Sequence, residues 1–326
     1  MQPPVFVNNI FTTSAGFEEK ALQLFSYQYR HNNVYRQWCS ILGVDEGQIN
    51  TLTQIPFLPV SFFKTHAVVT GSFVPEVTFT SSGTTQTLNS HHYVKELDIY
   101  RQSFIKAFEL FYGSLQNWCV IGLLPSYLER SGSSLVLMAD EMIKLSNHPA
   151  SGFYLYGFDK LAGTLQQLEK AAQPTLLLGV TFALLDFAAS HPMPLHHTVI
   201  METGGMKGRR RERTRQEVHT ALCSAFKMQH IHSEYGMTEL LSQAYSKGEG
   251  RFYCPPWMRM LVRNEEDPLS VATTGKGVLN IIDLANIYSC AFIAVDDAGF
   301  VYGDGSFEVW GRLDNSDIRG CSLMVV

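Results

Sequence analysis

The chain has 326 residues, of which 45% are hydrophobic and 17% charged, and its net charge is −5. This composition predicts a folded globular protein and excludes an intrinsically disordered one. The acidic balance, with a pI near 6.1, excludes a general nucleic-acid binder, because affinity for the phosphate backbone requires a clustered positive surface.

Helices are predicted over most of the chain before residue 227, because apolar residues recur there at three- and four-residue spacing. They cover residues 17–42, 94–111, 133–145, 160–171 and 213–226. Short apolar runs between them predict strands at residues 118–124, 175–179, 198–201 and 228–231. This alternation predicts a layered α/β domain with a largely parallel sheet.

After about residue 250 the pattern changes to short strands separated by turn residues: MRMLVR, GVLNIID, CAFIAVDD and FEVWGR. We therefore predict an α/β core over residues 1–249 and a β-rich lobe over residues 250–326 that ends in a short tail. No repeat and no low-complexity linker separates the two parts, so we expect them to pack closely.

The six cysteines stand far apart, with no CxxC pair and no ligand-like histidine spacing. This pattern predicts neither a zinc site nor a disulfide framework, and we expect a cytoplasmic protein. The amino-terminal stretch lacks the charged region and long apolar segment of a signal peptide. No uninterrupted run of about 18 apolar residues occurs, so we expect no membrane span.

Residues 78–87 read TFTSSGTTQT, a cluster of hydroxyl side chains around Gly83 directly after a strand-like approach. A backbone of small residues can approach a phosphate closely while its N–H and O–H groups supply donors. An ordinary Ser/Thr turn explains the same residues. The motif alone leaves both interpretations open.

Residues 232–239 read HSEYGMTE and follow a predicted strand, at the position where α/β sheets bind ligands. An aromatic face can stack on a base, a threonine hydroxyl can donate to a phosphate, and a carboxylate can hold Mg²⁺. The alternative is a helix start that Thr238 or Ser233 caps.

Several other patterns have simpler explanations. No GxSxG, HExxH or complete Walker sequence occurs, so the familiar hydrolase and P-loop classes lose their main support. The doublets His91–His92 and His196–His197 lack a third metal ligand, which favours surface or hydrogen-bonded histidines. The basic run KGRRRERTR, at 207–215, predicts either a solvated surface or a docking surface for an anionic partner.

The motif order is similar to that of a known superfamily. FTSSGTT, then EYGMTE, then Gly311-Arg312-Leu313-Asp314 resemble the motifs of the adenylate-forming enzymes, which include acyl-CoA synthetases and firefly-type luciferases. Five longer segments resemble the LuxE-type acyl-protein synthetases, the fatty-acid-activating subunit of the bioluminescence reductase complex: IPFLPVSFFKTH (55–66), LPSYLERSGSSL (124–135), METGGMKGR (201–209), HSEYGMTELLSQ (232–243) and DNSDIRGC (314–321). The resemblance runs from about residue 10 to the end.

The resemblance implies the large-domain fold of the adenylate-forming enzymes, an α/β class with layered helices and sheets and a small β-rich lobe. The superfamily's mobile carboxyl-terminal domain is expected to be absent, because twelve residues follow Asp314. That domain supplies a lysine for adenylation, so Lys207, or Lys64 instead, is expected to provide the cation.

The resemblance also implies a site for ATP. The hydroxyl loop would cradle the phosphates through six residues: Thr80, Ser81, Ser82, Gly83, Thr84 and Thr85. Gln86 follows where the superfamily usually has glycine, and its longer side chain would narrow the space through which the phosphates approach the loop. Gly204 and Gly205 would line the adenine pocket.

The remaining cofactor groups follow from the later motifs. In the EYGMTE match, Tyr235 would lie against adenine next to Gly236, Thr238 would contact the α-phosphate, and Glu239 would hold Mg²⁺. The ribose aspartate falls on Asp297, with Asp296 as the alternative register. Arg312 would contact ribose or phosphate, and Asp314 would sit at the hinge.

Cys321 is the expected acyl acceptor. In LuxE-type proteins a cysteine near the carboxyl end accepts the acyl group as a thioester, and Cys321 lies in the matching RGC. Arg319 would lower the pKa of this thiol by favouring the thiolate. An incidental free or buried cysteine is the alternative.

The leading hypothesis is ATP-dependent activation of a carboxylic acid, fatty by the resemblance or else aryl, with transfer to Cys321 or to a partner thiol. One alternative is a non-adenylating nucleotide-binding or acyl-carrying subunit of a reductase or transferase complex. Another is an acyltransferase that uses a preformed acyl thioester. A reductase, a transferase or an acyl-carrier protein is the expected protein partner.

Overall fold

The computed structural model describes residues 4, 6, 9–11, 16–81, 88–125, 132–155, 157–204 and 214–313. The first elements are α1 (Phe17–His31), α2 (Asn33–Ile41), β1 (Leu58–Pro59), α3 (Phe62–Thr65), β2 (Val77–Thr80), β3 (His91–Val94) and α4 (Leu97–Tyr112). Next come β4 (Cys119–Leu123), α5 (Ser134–Ser146), β5 (Gly152–Phe153), α6 (Phe158–Lys170), β6 (Thr175–Val180), α7 (Thr181–Ser190), β7 (Thr198–Thr203), α8 (Arg215–Phe226), β8 (His232–Tyr235) and β9 (Ala244–Ser246). The last are β10 (Arg251–Phe252), β11 (Met258–Arg263), β12 (Val271–Ala272), β13 (Gly275–Asp283), β14 (Phe292–Val301) and β15 (Phe307–Arg312).

The central sheet has the strand order β5-β4-β6-β7-β8-β9. Its strands are parallel except for β9 at the edge. Every residue of β4 and β6 is buried, as expected for strands that helices cover on both faces. The predicted α/β layering around a largely parallel sheet is confirmed.

A second sheet, with the order β10-β15-β14-β13-β11-β12, contains the strands predicted after residue 250. Neighbouring strands on this path are antiparallel. The short β1 joins it in parallel, with Leu58 opposite Ile293. Since β1 comes from the first part of the chain, the two parts share a sheet, and the domain boundary near residue 249 stays a prediction.

Two predicted elements need correction, and one helix was missed. The helix over 17–42 is broken at Asn32, which is extended and whose side chain accepts a hydrogen bond from the Tyr35 amide and caps α2. The strand over 228–231 is wrong: α8 ends with Lys227 in the left-handed conformation, and the chain pairs with β7 only from His232 onwards. Helix α7 was not predicted, because it is apolar on most of its sides and lacks an amphipathic period.

Buried Gln28 attaches helix α1 to the connection between β13 and β14. Its Nε2 donates to the carbonyl oxygens of Asn286 (2.8 Å) and Ile287 (3.0 Å). Its Oε1 accepts from the Ala291 amide (2.9 Å). One side chain therefore satisfies three backbone groups of a buried turn, which would otherwise lose their hydrogen bonds on leaving water.

We expect Gln28→Leu to lower the free energy of unfolding by about 2–4 kcal/mol, because two carbonyls and one amide are left unpaired in the interior. Chemical denaturation followed by circular dichroism measures the change. The control is Gln23→Leu on the same helix, where Gln23 makes an exposed bond to Glu19 (3.2 Å) and the expected change is within about 0.5 kcal/mol. Equal losses in the two variants would contradict this account.

Candidate functional site

The carboxyl ends of β7 and β8 lie side by side at one edge of the central sheet. The parallel register pairs Thr203 with Glu234, so Gly204 and Tyr235 come next on the two strands. Ligands of α/β sheets bind at this edge. The METGG and HSEYGMTE motifs, about thirty residues apart in sequence, therefore meet where the fold offers a binding site.

Tyr235 reaches from the central sheet to the second sheet. Its hydroxyl donates to Asp297 Oδ2 (2.7 Å), and its ring packs edge-on against Phe252 and Phe307. Burial, followed by the negative charge of Asp297, raises the pKa of Tyr235 well above its ordinary value. Arg312 pairs with Asp297 across β14 and β15, and its Nε lies 3.6 Å from Asp297 Oδ1.

This geometry also bears on the choice between the two adjacent aspartates. Successive side chains of a strand point to opposite faces, and Asp297 is the one that contacts Tyr235 and Arg312. The charge of Asp296 acts instead on Arg263. The register that assigns Asp297 to the site is therefore the one that the geometry favours.

Strands β2 and β3 form the base of the hydroxyl loop. The Ser81 amide donates to the Ser90 carbonyl (3.1 Å), and the Ser90 amide donates to Ser81 Oγ (2.8 Å). The Thr80 amide donates to the carbonyl of Gly132 (2.8 Å), whose φ of +86° favours glycine. Thr80 and Ser81, the first two residues of the loop, are thus fixed by backbone hydrogen bonds. Residues 82–87 lie outside the described part of the chain.

The segment after Tyr235 is a turn held from two sides. The Thr238 carbonyl lies 2.9 Å from His92 Nδ1 on β3. The Glu239 carbonyl accepts from Asn286 Nδ2 (2.9 Å), and hydrogen bonding by the Ser90 side chain opposes a rise in the pKa of the Glu239 carboxyl group. Thr238 and Glu239 are therefore fixed beside the base of the hydroxyl loop.

Glu239 is 5% exposed, and burial raises the pKa of its carboxyl group. The Ser90 hydrogen bond and the positive charges of Arg312 and Lys64 oppose that rise. Among the described residues no cluster of three or more histidine, cysteine or acidic side chains could hold a metal. A single carboxylate fits Mg²⁺, which proteins bind through one or two carboxylates together with substrate phosphates.

Glu202, buried in β7, lies at the centre of a polar network near the carboxyl end of that strand. Its carboxylate meets four side chains: Thr181 (2.9 Å), Ser233 (3.1 Å), Arg215 (3.4 Å) and His219 (3.5 Å). Burial alone would raise its pKa, but His219 and Arg215 outweigh burial and lower it. The Thr181 hydroxyl also lies 2.6 Å from the Gly204 carbonyl oxygen, so the first glycine of the pair is fixed by this network.

Glu234 faces the other side of the sheet and has a different environment. It accepts a short hydrogen bond from Thr203, and burial, with a smaller contribution from Glu202, raises its pKa to about 7. A Cβ added to Gly236 would lie 2.3 Å from Glu234 Oε1. The glycine of the EYG motif therefore makes room for the carboxylate that precedes it.

The structure brings most of the described motif residues together in two groups. Tyr235, Asp297 and Arg312 form one. The other lies along residues 90–92, where Ser81 bonds to Ser90, Thr80 pairs with His91, and Thr238, next to Glu239, contacts His92. Gly204 and Gly236 lie at the ends of β7 and β8. Sequence reasoning assigned no role in the site to His92, Glu202 or Glu234, although Glu202 lies in the METGG segment and Glu234 in HSEYGMTE. Outside the described part of the chain lie Ser82, Gly83, Thr84, Thr85, Gly205, Lys207, Asp314 and Cys321.

The alternative explanations of these motifs can now be judged. The helix start proposed for HSEYGMTE is wrong, because Ser233 lies in β8 and bonds to Glu202 while Thr238 lies in a turn. His92 is hydrogen-bonded, and the amides of His196 and His197 bond to Glu169. No helix in the described part of the chain has the length and apolar character to cross a membrane.

Comparison with known proteins finds similarity to one family. The family model of the acyl-protein synthetase LuxE matches residues 12–118. The long-chain-fatty-acid–luciferin-component ligase of Aliivibrio fischeri is 23% identical over 92% of this chain and 85% of the relative. The ligase of that name from Vibrio harveyi is 22% identical over 92% and 84%. The resemblance to the LuxE acyl-protein synthetases is confirmed.

Solved structures agree with this relationship at the level of the fold. The open conformation of 2-hydroxyisobutyryl-CoA ligase, in complex with 2-HIB-AMP and CoA, matches with a TM-score of 0.67 at 12% identity, over 93% of this chain and 70% of that one. ATP-bound MatB from Rhodopseudomonas palustris gives 0.55 at 15% identity, over 74% of this chain. This chain covers 49% of MatB, about half its length. The expected fold of the adenylate-forming enzymes is confirmed.

We expect Gly236→Ala to be destabilising, because the new methyl group would overlap Glu234 Oε1. The matched control is Gly163→Ala in the middle of α6, where nothing lies within 4 Å of the added Cβ and about 0.5–1 kcal/mol of stabilisation is expected. In the Gly236→Ala/Glu234→Ala double variant the overlap is removed, so a double-mutant cycle measured by denaturation should show coupling of at least about 0.5 kcal/mol. Additive losses would refute the contact.

The two buried glutamates should shift stability with pH in opposite directions. Because the folded-state pKa of Glu234 is raised to about 7, its stabilising contribution is complete below its ordinary pKa and is lost as the pH rises through 7. Glu234→Gln should therefore raise the free energy of unfolding by about 2 kcal/mol at pH 8 and by little at pH 5. Glu202→Gln should lower stability at pH 8, because the pKa of Glu202 is lowered. Urea titrations at the two pH values test both signs.

Proposed function

We propose that this chain activates a carboxylic acid with ATP, releasing pyrophosphate and forming an acyl-adenylate. The hydrogen bond between Tyr235 and Asp297 (2.7 Å) carries the proposal. It joins the residues expected at adenine and ribose, which come from different motifs and different sheets. The ligase names of the Aliivibrio and Vibrio relatives and the ATP in the MatB structure support the same activity.

In the proposed first step, a carboxylate oxygen of the acid attacks the α-phosphorus of ATP. The bond from that phosphorus to the oxygen bridging the β-phosphate breaks, and pyrophosphate leaves with the electron pair. Both reactants are anions, so the reaction depends on fixed donors and positive charge at the phosphates. Thr80, Ser81 and Thr238 would supply donors, and Arg312 would supply positive charge.

Mg²⁺ held by Glu239 would neutralise charge on the phosphates when bound. The described part of the site contains a second cation, Lys64, whose charge acts on Glu239. We therefore propose Lys64, or else Lys207 outside the described residues, as the cation that assists adenylation.

We propose a long-chain fatty acid as the substrate, because both curated relatives are named for one. In the second step a thiolate attacks the acyl carbonyl carbon, the bond to the AMP oxygen breaks, and AMP leaves. Cys321 is the proposed thiol of this chain, with a reductase, transferase or acyl-carrier protein as the subsequent acceptor. A cytoplasmic location stays a prediction from the cysteine pattern.

The experiment measures acid-dependent pyrophosphate release with Mg·ATP and a panel of fatty and aryl acids. Asp297→Asn should raise the KM for ATP by about 10-fold or more, since a hydrogen bond to a charged group is worth about 1.5–3 kcal/mol. The matched control is Asp296→Asn, one residue away on the opposite face of β14, with an expected change below about twofold. If the wild-type chain releases no pyrophosphate with any acid, the proposal fails and the non-adenylating subunit becomes the better explanation.

A second readout of the same reactions is the intact mass of the protein. A hydroxylamine-labile acyl adduct that requires ATP and is lost in Cys321→Ser would identify the acceptor and its acid. An adduct that forms from an acyl thioester without ATP would instead favour the acyltransferase alternative.

A further inference from the structure

Ser90, directly before β3, and His92, within β3, face the turn that contains the proposed catalytic groups. Ser90 and His92 are each 1% exposed. The Ser90 side chain bonds to the Glu239 carboxylate, and His92 Nδ1 lies 2.9 Å from the Thr238 carbonyl oxygen. Residues 90 and 92 therefore contact the two residues expected at the metal and the α-phosphate.

The chemistry of the contact defines the form of His92. A carbonyl oxygen only accepts hydrogen bonds, so Nδ1 carries the proton and donates it. Burial lowers the pKa of His92 to about 4, so the ring is neutral near pH 7. Nε2 is then a bare acceptor, and it has no partner among the described residues. The Nδ1 bond is thus the polar interaction that offsets burial of this ring between Phe63 and Phe79.

The same segment, residues 90–92, also contacts the base of the hydroxyl loop. Ser90 exchanges hydrogen bonds with Ser81 at the loop base, and His92 pairs with Phe79 in the β2–β3 register. The hydroxyl loop and the turn at Thr238 are about 150 residues apart in sequence. Residues 90–92 contact both Ser81 at the base of the loop and the turn at Thr238.

We propose that His92 and Ser90 are positioning residues for adenylation, which hold Thr238 and the Glu239 carboxylate at a fixed distance from Ser81 at the base of the hydroxyl loop. This inference rests on the proposed function. Groups that stabilise developing charge act only when they are held in place before the reaction, and a displacement of about 1 Å can cost about 100-fold in rate. His92 contacts neither nucleotide nor acid in this account, so its loss should act on kcat more than on the KM for ATP.

The amide of an asparagine can occupy the place of Nδ1, whereas that of a glutamine reaches the place of Nε2. We expect His92→Gln to lower kcat for pyrophosphate release by about 10- to 100-fold, with a KM for ATP within about threefold. His92→Asn should recover kcat to within about threefold of wild type. The matched control is His91→Gln, a neighbour on the opposite face of β3, which should behave as wild type. The rise in Tm on adding Mg·ATP reports binding independently of turnover.

A His92→Gln variant that melts like wild type and keeps its kcat would overturn the inference. So would equal defects in the Asn and Gln variants, since the ring's packing rather than its hydrogen bond would then matter. If His92→Gln does not fold, Ser90→Ala is the second variant, because it leaves no large cavity. It should raise by several-fold the Mg²⁺ concentration that gives a half-maximal Tm shift at fixed ATP. An unchanged concentration would count against the inference. A wild-type chain that releases no pyrophosphate with any acid would instead refute the proposed function itself.

Discussion

The site depends on one fully buried carboxylate at the end of β13. Asp283 accepts three hydrogen bonds: from the Leu241 amide (2.8 Å), the Ser242 hydroxyl (2.6 Å) and the Ala285 amide (3.1 Å). Burial raises its pKa to about 6, and these donors limit the rise by favouring the ionised form. They also attach the turn after Tyr235 to the second sheet, while β9 returns the chain to the central sheet. The proposed catalytic turn is therefore attached to both sheets.

Buried polar groups recur wherever the two sheets and the amino-terminal helices meet. Gln28 and Asn32 bind the turn between β13 and β14, and Asn286 of that turn binds the Glu239 carbonyl. Hydrogen bonds in such surroundings are directional and costly to leave unmade, so they specify one arrangement more sharply than apolar contacts do. The amino-terminal helices thus contribute to the position of Glu239 without approaching it.

Two glutamates on adjacent strands, Glu202 and Glu234, lie in different environments because their side chains point to opposite faces of the sheet. Glu202 lies on the side of helix α8, among Arg215, His219 and two hydroxyl donors, and it is held ionised. Glu234 is on the adjacent strand β8, one position beyond Ser233, the partner of Glu202. It therefore faces the opposite side of the sheet, where burial favours its neutral form. Their different behaviour follows from the face of the sheet, and both stabilise the strand ends at which the motif residues begin.

The sequence alone determined the layered α/β class, the β-rich end of the chain and the motif segments, because period, turn residues and short motifs are local properties. The break at Asn32 and the start of β8 at His232 were not predictable in this way, since both depend on what the chain meets after folding.

Only the tertiary structure decided which of these residues meet. The contact of Tyr235 with Asp297 crosses two sheets, and the contact of His92 with Thr238 spans 146 residues. No local pattern encodes such distances, because they follow from strand order and register, which depend on the packing of the whole core. A histidine beside the hydroxyl loop is indistinguishable in sequence from a surface one; its role is set by the buried carbonyl that it faces.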